Sequence, residues 1–363
     1  MSATTNATAS AARAAAAATT ATAQDIDLAA QVLDAGGLVA FPTETVYGLG
    51  ADASSSEAVA GIYAAKGRPS NHPVIVHVAP DADLSFWTAE VPDEARMLIA
   101  AFWPGPLTLI LKRSAHTPDS VSGGQDSVGL RCPSHPVAQA LLRAFAARRG
   151  GHAGVAGPSA NRFGQVSPTH AEHVRKEFPD LVAKGMPVLD GGPSQVGIES
   201  TIVDLSRLDQ GVGPVLLRPG QITADQLSSV LGVPVLAPDI AAPRVSGALK
   251  SHYAPNTPLL LMGTAALCDF ACQPERLVGL HQRCGGKTIA VVSHSFTRPP
   301  DGTDPRIAWY AMPNNVIEYG HALYATMRSL DESGAGLLIW EEVPDTQPWA
   351  GIRDRLGRAA AAH

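Results

Sequence analysis

The sequence predicts an α/β protein of two domains, and three observations carry the prediction. Short apolar runs ended by Pro or Gly recur along the chain and have the length of buried strands. Stretches with apolar residues at helical spacing, bounded by hydroxyl caps and glycines, alternate with them. At 363 residues and 45% hydrophobic content the chain can bury more than one core, and a Pro- and Ala-rich stretch at 233–258 has the composition of a linker. The expected division is a tail at 1–24, a first domain at 25–232, that linker, and a smaller second domain at 259–363.

Met1 to Ala23 holds mainly Ala, Thr and Ser with Arg13 as its one charge, a composition that stays disordered. It lacks the apolar stretch of a secretory signal, while its acid-free character is faintly that of a transit peptide. Leu38 to Phe41 is an apolar strand that Pro42 ends, since proline brings no amide to a ladder. Glu57 to Lys66 reads as a helix capped by Ser56, with Val59, Ile62, Tyr63 and Lys66 on one face and Gly67 and Pro69 as its stop. Val74 to Val78 is a strand in which Ile75 and His77 share a face. Arg96 to Phe102 is helical up to Pro104, Thr108 to Leu111 and Ser127 to Leu130 are strands, and Val137 to Ala147 is a helix begun at Ser134 or His135 and ended by Gly150-Gly151.

The next helix opens at Ser167-Pro168-Thr169. Either Thr169 caps it, with Glu172 at capping-box spacing and Ser167 spare, or Ser167 caps it with Pro168 first in the helix. Pro187 to Asp190 and Glu199 to Leu205 read as two strands joined by a glycine loop. In the second domain Leu259 to Met262, Thr288 to Val292 and Leu337 to Trp340 are strands and Val316 to Leu330 an amphipathic helix. That alternation implies parallel βαβ units in a Rossmann-like layout, without the GxGxxG loop of a dinucleotide site. Arg353 to Ala362 reads as a surface helix with no further role.

Chemistry gathers near the first strand. Thr43, Glu44 and Thr45 stand at its exit, where ligands collect in open α/β sheets; alone, such a turn satisfies its own backbone. Lys66 and Arg68 close the following helix, where cations complement the helix dipole by about 0.3–1 kcal/mol. With His77 on the next strand, these groups can converge on one cleft. The net charge of −6 excludes a general nucleic-acid coat protein, and makes Lys66, Arg68, Arg131 and Arg218 a local positive site on an acidic molecule. Cys132, Cys268, Cys272 and Cys284 fit no zinc spacing and read as reduced thiols of a cytoplasmic protein. No stretch is long and apolar enough to span a membrane.

Seven motifs occur in order: FPTETVYGLG at Phe41, KGRPSNHP at Lys66, WPGPLT at Trp103, SVGLRCPSHP at Ser127, GPSAN at Gly157, GIESTIVD at Gly197 and LLRPG at Leu216. The set resembles the YrdC-type threonylcarbamoyl-AMP synthases over roughly Asp25 to Gly232, and Lys250-Ser251-His252-Tyr253-Ala254-Pro255 is similar to the linker of the family's long, two-domain form. Small departures are Gly157, where alanine is usual, and Val245-Ser246-Gly247, where the linker commonly carries Pro-Gly.

The resemblance implies a twisted mixed sheet in the first domain. It also implies synthesis of threonylcarbamoyl-AMP from L-threonine, bicarbonate or CO₂, and ATP, with release of pyrophosphate, for threonylcarbamoylation of the tRNA adenosine beside the anticodon. The downstream partner is the tRNA threonylcarbamoyl transferase machinery, with room for a weak RNA contact. By the same resemblance Lys66 and Arg68 hold the triphosphate, and His72, Ser127, Ser159, Asn161, Ser167, Arg218 and Tyr253 join Arg68 around the nucleotide. Thr43, Thr45, His77, Arg131, Gly157 and Ser200 form the threonine pocket, and Tyr253 is a lid. ATP implies Mg²⁺, whose contacts would be phosphate and water because no carboxylate pair stands at ligand spacing. A double-stranded RNA-binding module, a carbamoyltransferase of hydrogenase maturation and a regulatory protein are the rival readings; the first is opposed by the acidic balance and 5% aromatics.

Overall fold

The computed structural model describes residues 20–149, 152–247, 251–271 and 274–362. Most of the expected tail, Gly150-Gly151, Lys250 and Cys272 lie outside them. The first helix, Ala23–Asp34, begins two residues inside the stretch expected as tail. Its cause is a capping box, in which Thr22 Oγ1 accepts the Asp25 N–H at 3.2 Å and the Asp25 carboxylate accepts the Thr22 N–H at 2.8 Å.

The first sheet has eight strands: β1 (Val39–Phe41), β2 (Gly48–Asp52), β3 (Ile75–His77), β4 (Leu107–Lys112), β5 (Ser127–Arg131), β6 (Val155–Ala156), β7 (Thr201–Asp204) and β8 (Val215–Arg218). Their order is β1-β2-β6-β3-β5-β4-β7-β8. The sheet is mixed, as the resemblance implies: β3–β5 and β4–β7 are parallel pairs and the other neighbours antiparallel. Register then decides where chemistry falls. His77 is level with Arg131 at the ends of β3 and β5, Leu107 is level with Thr201 at the starts of β4 and β7, and Ile202 is level with Arg218 at the end of β8. Five strand ends therefore meet on one edge of the sheet.

The helix Ser56–Lys66 buries Val59, Ile62, Tyr63 and Lys66 as its spacing predicts, and Gly67 stops it in the left-handed region at φ 62°. Its cap is Ser55, one residue earlier than expected, whose hydroxyl accepts the Ala58 N–H. The helix after Ser167 begins at Ala171 behind His170, so neither Thr169 nor Ser167 caps it. Pro187 to Asp190 is not a strand: it makes a single bridge, Ala40 to Val188, before the chain turns away.

The second sheet is parallel throughout, in the order β11-β10-β12-β9, from β9 (Leu259–Met262), β10 (Ile289–Ser293), β11 (Ile307–Ala311) and β12 (Leu337–Glu341). Strand β11 is absent from the sequence expectation. The helix Val316–Glu332 faces the first unit, and an apolar cluster containing Val46, Val166, Ile198, Tyr253, Leu323, Tyr324, Ile352 and Leu356 joins the two units. Gly197 permits this close approach, because a Cβ there would stand 2.2 Å from the Gly320 carbonyl oxygen. The C-terminal helix, Ala350–Ala360, is part of that junction. Its Arg355 is 0% exposed, which corrects the expectation of an idle surface helix.

Candidate functional site

The edge where the strand ends meet holds a cavity of about 30 Å³ lined by Thr45, His77, Arg131, Gly157, Ser159, Ser200, Arg218 and Tyr253 among others. Around it, Arg68 Nε, His77 Nδ1, Asn161 Oδ1, His252 Nδ1 and the Tyr253 hydroxyl are buried polar atoms without a protein partner. Buried polar groups are nearly always paired, so such a cluster marks a surface built for a polar ligand. Larger hollows, about 680 Å³ at Lys112–Asp119 and 600 Å³ beside Lys66, contain no such atoms.

The turn after β1 sets the first wall. Thr43 is consumed by the turn itself: its hydroxyl donates to the Val46 carbonyl at 2.6 Å, accepts the Thr45 and Val46 N–H groups, and lies 2.8 Å from Thr45 Oγ1. It orients Thr45 and does not line the cavity. Glu44, buried in the same turn, reaches across to β5. Arg131 Nη2 donates to its Oε1 at 2.7 Å, Arg131 Nε donates to the Gly105 carbonyl at 3.4 Å, and Glu44 Oε2 accepts the Ser134 N–H at 3.1 Å. One edge of the Arg131 guanidinium is thus already taken by the protein.

His77 lies beside Arg131 with its ring edge-on to Phe41 at 5.6 Å. Burial, reinforced by the Arg131 charge, pushes its pKa down to about 3, so the imidazole is neutral near pH 7 and a weak base. Gly157 leaves the imidazole its place: a Cβ would stand 2.9 Å from His77 Nδ1 and 3.0 Å from Phe41, so a larger residue would make these side chains shift. Lys66 and Arg68 stand behind the opposite wall. Lys66 Nζ donates to the Ser159 carbonyl at 2.6 Å and to the Asn161 carbonyl, and burial, with Arg68 nearby, holds its pKa well below the ordinary lysine value. Arg68 donates to the Pro73 carbonyl at 2.8 Å and to Ser246 Oγ at 3.3 Å, and its guanidinium lies 6.0 Å from the Phe163 ring. Asn161 spends its amide on the Arg162 and Gln165 carbonyls.

At the β7–β8 end, Ser200 Oγ lies 2.7 Å from Thr108 Oγ1 and accepts Arg218 Nη2 at 3.1 Å, while Arg218 Nε donates to the Ser200 carbonyl at 3.0 Å. Ser167 Oγ donates to Glu199 Oε1 at 2.6 Å, so it is neither spare nor a cap. The linker closes the mouth: the Ser246 carbonyl accepts Arg218 Nη1 at 2.8 Å, and Tyr253, 1% exposed and at φ 61°, lines the cavity with His252. A non-glycine residue at that φ is held there by its surroundings. Two expected groups stand apart. The His72 ring packs on Phe163 at 5.5 Å, and Ser127 lines a neighbouring cavity of about 10 Å³ with Val245 and Ser246.

Glu44 was read only as a carboxylate at the exit of the first strand, and Glu199, Ser246 and His252 were not singled out for the site by sequence reasoning. The first two carried a signal, each being a carboxylate inside a buried hydroxyl-rich motif, FPTET and GIEST. Glu199 is the one carboxylate among the described cavity residues, and its oxygens accept from Ser167, Tyr324 and Arg355. Among the described residues no group of three His, Cys, Asp or Glu side chains could hold a metal ion. No helix in the described residues is long and apolar enough to cross a membrane.

Residues 31–220 match the family model Sua5_yciO_yrdC, described as telomere recombination, and residues 222–361 match Sua5_C, described as the threonylcarbamoyl-AMP synthase C-terminal domain. The threonylcarbamoyl-AMP synthase of Bacillus subtilis is 39% identical over 341 residues, covering 92% of each chain. That of Pyrococcus abyssi is 34% identical over 92% of this chain and 94% of its own. The crystal structure of P. abyssi Sua5 complexed with L-threonine superposes with a TM-score of 0.80 at 32% identity, covering 94% of this chain and 95% of that one. The fold and the matches together define a nucleotidyltransferase-type enzyme. The chain belongs to the Sua5/YrdC threonylcarbamoyl-AMP synthase family.

Proposed function

We infer that this chain condenses L-threonine, bicarbonate or CO₂, and ATP into threonylcarbamoyl-AMP and pyrophosphate, and that the product supplies threonylcarbamoylation of the tRNA adenosine next to the anticodon. The observation that carries this reading is the set of unpartnered buried polar atoms on His77, His252 and Tyr253 lining one cavity with Arg131 and Arg218, with that of Arg68 just behind Ser246. Such a site suits ligands that are anionic and rich in hydrogen-bonding groups.

The chemistry asks for no protein nucleophile. Threonine's neutral amine adds to CO₂ and loses a proton, and a carbamate oxygen then attacks the α-phosphorus of ATP as pyrophosphate leaves. Positioning and charge stabilisation serve such a transfer. The hydroxyls of Thr45, Ser159 and Ser200 share the cavity with His77 and His252, both too weak as bases to activate them, and with Glu199, whose oxygens are committed to Ser167, Tyr324 and Arg355. Arg68 and Arg218 answer the phosphates, and Lys66 shapes the Ser159–Asn161 loop from behind. The free side of Arg131 takes the threonine carboxylate, with Thr45, His77, Gly157 and Ser200 around the rest of the amino acid. Magnesium fits as a companion of ATP held by phosphate and water, since the described residues offer no cage of three such ligands.

The test is pyrophosphate release that requires threonine, bicarbonate and ATP together. Arg68→Ala should lower turnover by about one to three orders of magnitude, as the loss of an electrostatic donor does; near-normal release would reject the assignment. Serine should be a weak substrate and valine almost none, because losing the hydroxyl leaves site groups unpaired whereas losing a methyl costs about 1–3 kcal/mol.

A further inference from the structure

Glu199 immediately precedes Ser200 and is held from both units. Its Oε1 accepts the Ser167 hydroxyl at 2.6 Å; its Oε2 accepts the Tyr324 hydroxyl at 2.9 Å and Arg355 Nε at 2.7 Å. Tyr324 and Arg355 both come from the second unit. The Arg355 guanidinium has a wider reach: Nη1 donates to the Pro219 carbonyl at 2.9 Å, one residue beyond Arg218, and the group lies 5.3 Å from the Tyr253 ring. A single fully buried cation thus touches the residue before Ser200, the residue after Arg218, and the ring that closes the cavity.

Stability alone does not account for this arrangement. A buried ion pair roughly breaks even against a well-packed apolar pair, since desolvating both charges offsets their attraction. The apolar cluster at the junction already joins the units without it. What the pair adds is direction: five donors in a rigid fork fix the groups they meet.

We propose that Arg355, assisted by Tyr324, is a positioning residue for the reaction, and that docking of the second unit sets the Tyr253 ring directly, and Ser167 and Ser200 through Glu199, in the arrangement that accepts substrate. This rests on the reading of those residues given under Proposed function. The second unit is then more than a lid: it completes the site from behind.

The charge state of Glu199 provides a readout. Facing it are Arg355, with Asp354 beyond, from the C-terminal helix; Arg218 from β8; Tyr324 from the helix Val316–Glu332; and His252 and Tyr253 from the linker. Burial pushes its carboxyl up, but Arg355 first and Arg218 next hold it down at about 2. Without Arg355 the burial cost prevails and the carboxyl takes up a proton toward neutral pH. It then carries an O–H donor, and the charge that draws the Ser167 and Tyr324 hydroxyls onto its two oxygens is lost.

The experiment uses the full chain and four variants, R355Q, R355K, Y324F and R355Q/E199Q. For R355Q the KM for ATP should rise roughly tenfold or more, as loss of positioning does, and an acid limb should appear in its kcat/KM taken as a ratio to that of the unaltered chain at each pH, a ratio in which the titration of threonine's amine cancels. R355K should recover part of the affinity, and R355Q/E199Q should lose the acid limb, because Gln cannot titrate. Wild-type KM and a flat ratio in R355Q would overturn the proposal, and so would an acid limb that persists in R355Q/E199Q. If R355Q fails to fold, Y324F decides: it deletes one bond to the same carboxylate oxygen, and an unchanged KM for ATP would reduce Arg355 to a stabilising group. The reading it rests on fails separately. ¹³C titration of the Glu199 carboxyl in the unaltered chain and R355Q needs no substrate, so an upward shift there, with no synthase activity in the unaltered chain, would sink the function and leave the Glu199–Arg355 coupling standing.

Discussion

Glu44 and Arg131 meet across the mouth of the sheet, Oε1 to Nη2 at 2.7 Å, with both side chains 5% exposed. The pair turns one edge of the guanidinium away from any ligand and fixes the plane of the other. Glu44→Gln keeps the shape but weakens that hold, so threonine affinity should fall roughly tenfold while ATP affinity stays near normal. Glu44→Ala leaves Arg131 buried and uncompensated, and should cost about 3–5 kcal/mol of stability as broken buried pairs do. Calorimetry with each ligand and a denaturant titration separate the two effects; a loss confined to ATP would move Arg131 to the nucleotide side.

Gly157→Ala tests the amino-acid wall. Its Cβ would press on His77 Nδ1 and Phe41, and the imidazole, the softer neighbour, must turn. Threonine affinity should drop with only about 1–3 kcal/mol lost from stability, the usual cost of overpacking. Unchanged threonine affinity would remove His77 from the pocket.

Acid should loosen this protein before it reaches the carboxylate range. His77, His173 and His252 are each pushed down to about 3, mainly by burial. A histidine whose folded pKa lies below its unfolded value of about 6.5 binds fewer protons in the native state, so its contribution is complete above that value and is lost as pH falls toward 3. The slope is about 1.4 kcal/mol per histidine per pH unit in that window. Glu199, at about 2, adds losses only below about pH 4.5. Thermal melts between pH 7.5 and 5 that do not move would contradict the neutral assignment.

Tyr253→Phe should separate stability from binding. The Tyr253 hydroxyl is buried without a protein partner, so deleting it should stabilise the ligand-free protein by about 1–3 kcal/mol, the cost of an unsatisfied polar group. Nucleotide affinity should fall in the same variant. A gain in stability with unchanged nucleotide affinity would show that the hydroxyl meets no substrate.

Sequence reading reached the α/β class and most strands of the second sheet because period and punctuation are local signals, Phe41-Pro42 and Gly67 ending elements wherever they fall, while the mixed order of the first sheet came from the family resemblance alone. It missed β2, β6 and β8 in the first sheet and β11 in the second, although Ile307 to Met312 is an apolar run, and it misjudged Arg355, which is polar by type and buried against Glu199, the Pro219 carbonyl and the Tyr253 ring. The cavity residues were legible as motif members, His77 with Arg131 above all. Their partners were not: Glu44 holds Arg131 across 87 positions and Arg355 holds Glu199 across 156, separations that no spacing rule covers. Ser167 shows the same limit, since its alternatives, cap or spare hydroxyl, are both overridden by a carboxylate 32 residues away.

The linker crosses the mouth of the cavity with fastenings on both sides. Asp239 is gripped by Arg207, and the Arg244 backbone exchanges two hydrogen bonds with the Gln125 side chain; beyond the crossing, the His252 N–H donates to the Arg358 carbonyl and the Ala254 N–H to the Gly164 carbonyl. Connecting segments ordinarily tolerate changes of length. Here the seat of Tyr253 is fixed by its two neighbours, since His252 and Ala254 are both fastened by their N–H groups. A residue inserted between 252 and 254 would carry the ring out of the cavity wall while the fold around it stayed intact.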